Sequence, residues 1–200
     1  LTLFRKAQDL APEAPTPFIL EAQLLAHMGK TTEAIAQYRT FLSKKPEFMP
    51  GHMALGVLLE ENGDPKAAQE SYRKALAINP QFAPAANNLA WLLAQEQDAD
   101  MGEALRLALV AKKQLPDDPL ITDTLGMIHY KRGSYKLALT QLAFAVEKGA
   151  DNPTLRYHLA LALHSDGQHE KAKKELEKCL QTDNDFPERD DARKLLAKLG

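Results

Sequence analysis

The sequence predicts an all-α fold: a solenoid of five 34-residue helix–turn–helix repeats, with a half repeat before them and a capping helix after. Three observations predict it. Glycines stand at Gly29, Gly63, Gly133 and Gly167, in steps of 34, 70 and 34. Alanines at Ala34, Ala68, Ala104, Ala138 and Ala172 step by 34, 36, 34 and 34, and prolines at Pro46, Pro80 and Pro116 by 34 and 36. All three rulers slip by the same two residues. Leu55 to Leu89 is still 34, so the insertion falls within Gln95–Gly102. A fixed period of this length marks helix pairs too small to bury their own apolar faces, which stack on their neighbours instead.

The elements follow in order. Residues 1–14 read as the second helix of a truncated preceding repeat, with Phe4, Ala7 and Pro12 at the expected spacing. Repeats then occupy 15–48, 49–82, 83–118 (with the insertion), 119–152 and 153–186. Each first helix carries small or apolar residues at i, i+3, i+4 and i+7, as in His52, Leu55, Gly56 and Leu59, or Thr122, Leu125, Gly126 and His129. It closes at a glycine, which accepts the left-handed backbone of a helix end. The second helix pairs Ala34 with Tyr38, Ala68 with Tyr72, Ala138 with Leu142 and Ala172 with Leu176. Asp64-Pro65, Asp118-Pro119 and Asn152-Pro153 each supply a capping side chain followed by proline at the first helical position. Residues 187–200 form one more helix, with Ala192, Leu195, Leu196 and Leu199 in a stripe and Arg193, Lys194 and Lys198 facing away. A solenoid end requires such a polar-backed cap. The whole reads as one continuous domain.

Composition narrows the function. A chain 44% hydrophobic and 26% charged is ordinary for a folded soluble domain. A net charge of −2 lacks the basic footprint of a nucleic-acid binder. No apolar run approaches the eighteen or so residues of a membrane span, so no direct membrane insertion is expected. There is no Gly-rich phosphate loop, nucleophile elbow or His-Glu-x-x-His pattern, so neither an enzyme nor a cofactor is expected. His158, His164 and His169 are spaced by six and five, which does not set three ligands on one helix face, and they read as solvent-facing or groove-rim residues rather than a metal site. The lone Cys179 forms no internal disulfide and falls where the repeat wants a small buried residue. The run "EKAKKELEK", Glu170–Lys178, reads as a solvated helix face with i,i+4 pairs such as Glu170–Lys174. The acidic insertion near Asp98–Asp100 reads as an edge loop, where extra length costs little.

These residues resemble the tetratricopeptide repeat family, whose pattern Trp-x2-Leu-Gly-x2-Tyr, then Ala-x3-Phe, then Pro is matched five times in register over 15–186. No repeat has the leading Trp, and the last two carry Ala150 and Asn184 in place of the closing Pro. The resemblance implies a right-handed superhelix whose concave groove is lined by the first helices. Its groove stripe then includes Met53, then Asn87, Asn88 and Trp91, then Asp123, Met127 and Tyr130, and finally Tyr157 and His158. Trp91 and Asn87 lie one turn apart on the helix surface. Amides both donate and accept, so they can hold a ligand backbone whatever its side chains. The Trp, Met and Tyr residues supply amphipathic contact area. A protein or peptide partner is therefore expected. The carboxylate clamp of chaperone-binding members is absent: Asn88 fits one place, but the cationic places hold Ile19, Gln23, Leu120 and Thr124.

The segments "NNLAWLLA", "TDTLGMIHYKRGSYKLALTQL" and "NPTLRYHLALAL" also resemble the C-terminal arrays of bacterial tetratricopeptide lipoproteins of the PEP-CTERM/exosortase and exopolysaccharide systems, over residues 83–200. That resemblance implies a bacterial protein of surface-polymer assembly or protein sorting, in the envelope or periplasm rather than the cytoplasm. The truncated first helix motivates a second reading, the recognition arm of a larger enzyme or membrane-anchored assembly protein. It also exposes Leu1, Phe4 and Leu10, an apolar edge from which self-association is expected.

Overall fold

The computed structural model describes residues 1–11, 13–97, 100–182 and 186–200; among them are twelve helices and no strand. They are α1 (Thr2–Leu10), α2 (Pro15–His27), α3 (Thr31–Lys44), α4 (Met49–Glu61), α5 (Pro65–Ile78), α6 (Ala83–Gln95), α7 (Met101–Gln114), α8 (Pro119–Lys131), α9 (Tyr135–Lys148), α10 (Pro153–Ser165), α11 (His169–Leu180) and α12 (Arg189–Lys198). Pro12, Asn184 and the Asp98–Ala99 part of the insertion lie outside the described residues. The chain divides into two compact units, Leu1–Leu92 and Leu93–Gly200, with the boundary inside α6.

The helix ends are written locally. Gly29, Gly63, Gly133 and Gly167 all take positive φ, between 73° and 81°, a region that costs any side chain bearing a Cβ. The residue after each glycine reaches back to a carbonyl five positions earlier, as in Asp64 N to Leu59 O at 2.8 Å and Gln168 N to Leu163 O at 2.8 Å. This is the hydrogen-bond pattern of a glycine-closed helix. At the same step in the third period stands Gln97, beside the insertion. The three Asx-Pro starts behave as expected. Asp64 accepts from the Ala67 amide, Asp118 from Leu120 and Ile121, and Asn152 from Thr154.

Small residues set the spacing between paired helices. A Cβ added at Gly56 would sit 2.4 Å from the Tyr72 ring, and one at Gly126 would sit 2.6 Å from Leu142 Cγ. Tyr72 and Leu142 are fully buried by these close approaches. In the first unit Phe18, Phe41 and Phe48 form an aromatic run with centroids 5.2 and 5.3 Å apart. In the second unit Tyr157, Ala160, Leu176, Cys179, Phe186 and Ala192 form one core cluster, against which Leu195, Leu196 and Leu199 of the α12 stripe pack. Arg193, Lys194 and Lys198 face solvent.

Two expectations are corrected here. On α1, Leu1 and Phe4 are half-buried, and the open apolar groups are Leu3 and Leu10. On α11, Glu170 and Lys174 do not pair. Glu175 takes the local partner instead, at 2.6 Å from Lys178, and also bonds Arg156 at 2.8 Å. The half-buried Glu175 gains more from two cations than the exposed Glu170 would from one.

Candidate functional site

The first helices of both compact units carry the residues assigned to ligand contact. In the first unit Met53 on α4 and Asn87, Asn88 and Trp91 on α6 are all half-buried. Asn88 is committed to the scaffold as well as the surface. Its Nδ2 donates to the Tyr72 hydroxyl at 3.2 Å, and that hydroxyl donates to Glu60 Oε2 at 2.9 Å. The chain Asn88–Tyr72–Glu60 satisfies a hydroxyl that would otherwise be buried with its tyrosine, and burial holds the Tyr72 proton well above its ordinary pKa. Asn87 Nδ2 approaches Asn88 Oδ1 at 3.4 Å, while Asn87 Oδ1 is buried with no partner among the described residues. One amide of the pair is therefore a structural strut and the other is left partly unsatisfied.

In the second unit the residues separate by exposure. Tyr130 on α8 is half-buried, its ring 5.8 Å from that of Tyr135, and its hydroxyl accepts from Ser165 Oγ at 3.5 Å. Asp123, Met127, Tyr157 and His158 are all buried, at 9% exposure or less. The sequence places them on an open groove, and His158 on its rim; in the structure Asp123 and His158 close on each other between α8 and α10, and Tyr157 sits in the cluster of Leu176, Cys179, Phe186 and Ala192. His158 Nδ1 donates to Asp123 Oδ2 at 2.8 Å, tying α10 to α8. Asp123 Oδ1 is buried without a partner among the described residues. Burial pushes the Asp123 carboxyl up, the His158 bond pulls it partly back, and Glu188 adds to the rise. Tyr157 is pushed up to about 12, first by burial and then by Asp191 and Glu188. Of the other histidines, His164 is half-buried and His169 exposed. Cys179 is buried, its thiol donating to Leu176 O at 3.2 Å and pushed up to about 11 by burial, so at neutral pH it is a packed thiol rather than a nucleophile. Among the described residues no three His, Cys, Asp or Glu side chains converge to hold a metal ion, and no helix is long and apolar enough to cross a membrane.

Two features escaped the sequence reading. Glu21 on α2 is fully buried, and Arg5 Nε (3.1 Å) and Gln8 Nε2 (2.7 Å) of α1 donate to its two oxygens. It stands where the later repeats carry Leu55, Leu89, Leu125 and Leu159, so the break in register was the available signal. The second is a cleft of about 590 Å³ between α3 and α5, lined among others by Arg39, His52, Leu55, Ser71 and Lys74. In register, His52 and Ser71 stand where the second unit has the ion-paired Arg156 and Glu175. His52 Nε2 donates to Pro46 O at 2.7 Å.

Helix pairs of 13 and 14 residues, closed by left-handed glycines and packed through alanine and glycine, define a helical-repeat protein. The chain belongs to the tetratricopeptide repeat family, whose models match residues 19–81, 53–119 and 131–199. It is similar to the TPR repeat-containing protein PA4667 of Pseudomonas aeruginosa, 28% identical over 148 residues, a match covering 74% of this chain and 25% of that one. The chain thus spans about a quarter of that relative's length. Among solved structures it is similar to PilW, a type IV pilus biogenesis factor (TM-score 0.77, 20% identity, 90% of this chain and 84% of that one). It is also similar to YrrB, a TPR protein with an unusual peptide-binding site (TM-score 0.72, 22% identity, 96% and 97% of the two chains).

Proposed function

We propose that this chain is a non-enzymatic scaffold that holds a peptide or protein segment against its first helices. The observation that carries this reading is the half-buried Trp91, one turn from Asn87, on a helix otherwise rich in alanine and leucine. Met53 is accessible in the same unit. In the second unit, taken by itself, Tyr130 keeps open surface, while Asp123, Met127, Tyr157 and His158 are buried. Large amphipathic side chains that keep part of their surface open are the type that dominates binding energy at interfaces. The similarity to YrrB, which has a peptide-binding site of its own, supports the same use of the fold.

The partner belongs to bacterial envelope or surface-polymer assembly in this reading, which rests on the lipoprotein resemblance of residues 83–200 and on the likeness to PilW. The quarter-length match to its relative favours a second reading, the recognition arm of a larger enzyme or membrane-anchored assembly protein. Both place binding on the same helices.

The test is Trp91→Ala and Trp91→Ala/Tyr130→Ala in a capture assay from envelope extract. We expect melting close to the parent's and captured partner reduced at least tenfold in the double variant. Undiminished capture by a folded double variant removes the assignment.

A further inference from the structure

The turns α8–α9 and α10–α11 share one geometry but hold different chemistry. Each is closed by a left-handed glycine, Gly133 at φ 73° and Gly167 at 81°, with the following amide bonded five residues back. Each brings together two rings five residues apart in sequence. In the first turn they are Tyr130 and Tyr135, with centroids 5.8 Å apart and planes at 50°. In the second, 34 residues on, they are His164 and His169, at 5.0 Å and 49°. Where the tyrosines offer each other carbon, the histidines turn nitrogen inward: their Nδ1 atoms are 3.1 Å apart.

We propose that His164 and His169 form a two-nitrogen chelate for a borderline divalent ion, Zn²⁺, Ni²⁺ or Cu²⁺, with water completing the coordination. An ion about 2.05 Å from each nitrogen, the usual metal–imidazole distance, would subtend an angle of about 98° between them. That lies between the octahedral and tetrahedral ideals, so the separation of the two nitrogens suits an ion once each ring turns its lone pair off the line that joins them. The turn is already braced. The Asp166 carboxylate accepts from Lys136 at 2.8 Å and from Gln168 at 2.6 Å, and Lys171 donates to Gln168 at 2.8 Å. With both rings neutral, one Nδ1–H donates to the other Nδ1. Binding moves that proton to Nε2 of its own ring, leaving two lone pairs for the ion and releasing no proton. Imidazolium at low pH has no lone pair to give. The two residues lie on different helices, which is why a search along one helix face passes over them.

The test is calorimetric titration of the untagged chain with ZnCl₂, NiCl₂ and CuCl₂ at pH 7.5 and pH 5. We expect one ion per chain at pH 7.5, Cu²⁺ tightest, and at least tenfold weaker binding at pH 5. His164→Gln or His169→Gln alone should weaken it at least tenfold. His164→Tyr/His169→Tyr copies the other turn and should keep the parent's melting temperature while losing the ion. His27→Gln, at an exposed histidine elsewhere, should change nothing. No binding by the parent overturns the proposal, as does binding that survives the double tyrosine variant.

Discussion

Glu21 shows what one residue out of register costs and what holds it. A buried carboxylate must be compensated, and here both of its oxygens are met from α1. Removing the donors together, Arg5→Ala/Gln8→Ala, strands the charge and should lower stability by about 1–3 kcal/mol. Glu21→Leu restores the side chain of the other repeats and should melt no lower than the parent, because a buried ion pair is readily replaced by a packed hydrophobe. Urea unfolding of the two variants checks this, and a Glu21→Leu protein weaker than the donor double would contradict it. Asp123 makes the second residue-scale case. Its pKa is raised above 3.8 in the fold, chiefly by burial, so the folded state binds that proton more tightly than the unfolded chain does. The resulting stabilisation is present below 3.8 and is lost as pH rises through the folded value. Asp123→Asn should flatten the fall in urea midpoint over that window. Parallel profiles for the two proteins would place the titration elsewhere.

At the scale of the element, the packing of a helix pair turns on one missing methyl. Gly126→Ala drives a Cβ to within 2.6 Å of the fully buried Leu142 and should cost about 1–3 kcal/mol. Leu142→Ala should then cost less in the Gly126→Ala background than in the parent, a non-additivity that separates overpacking from helix propensity. Gly63→Ala meets no atom within 4 Å, yet its φ of 78° costs roughly 1–2 kcal/mol from backbone strain alone. No second-site truncation should relieve it. These positions were legible because spacing, caps and left-handed glycines are local properties of the chain, fixed within one helix pair. The ligand face was legible only in part. Met53, Asn87, Asn88, Trp91 and Tyr130 keep open surface, whereas Asp123, Met127, Tyr157 and His158 are buried; Asp123 and His158 meet across 35 positions, and Tyr157 packs against residues of α11 and α12, which a reading of one helix at a time does not register. Glu21 and the His164–His169 pair escaped for the same reason. Their partners sit across a turn or on a preceding helix.

For the whole molecule, the balance of charge and open apolar surface bears on association. With 25 basic and 27 acidic residues the net charge is −2, too small to keep copies apart by repulsion. Leu20 and Leu24 on α2 and Met28 at its C-terminal cap form an exposed stripe one turn apart, and Leu3 and Leu10 on α1 of the same unit are exposed too. At the register of Leu24, the other first helices carry Leu58, Leu92, Ile128 and Ala162, and all four are buried. The same position is thus a packing position elsewhere and open on α2. An open apolar stripe of this kind predicts association of copies through it. Sedimentation velocity should then give a mass that rises with concentration, and sulfate should strengthen the association, as it does apolar burial generally. Leu20→Lys/Leu24→Lys, at positions already open to solvent, should return a monomer with the parent's helical content. If the association instead weakens with added salt and survives the lysine pair, charge contacts hold the copies together and the stripe does not.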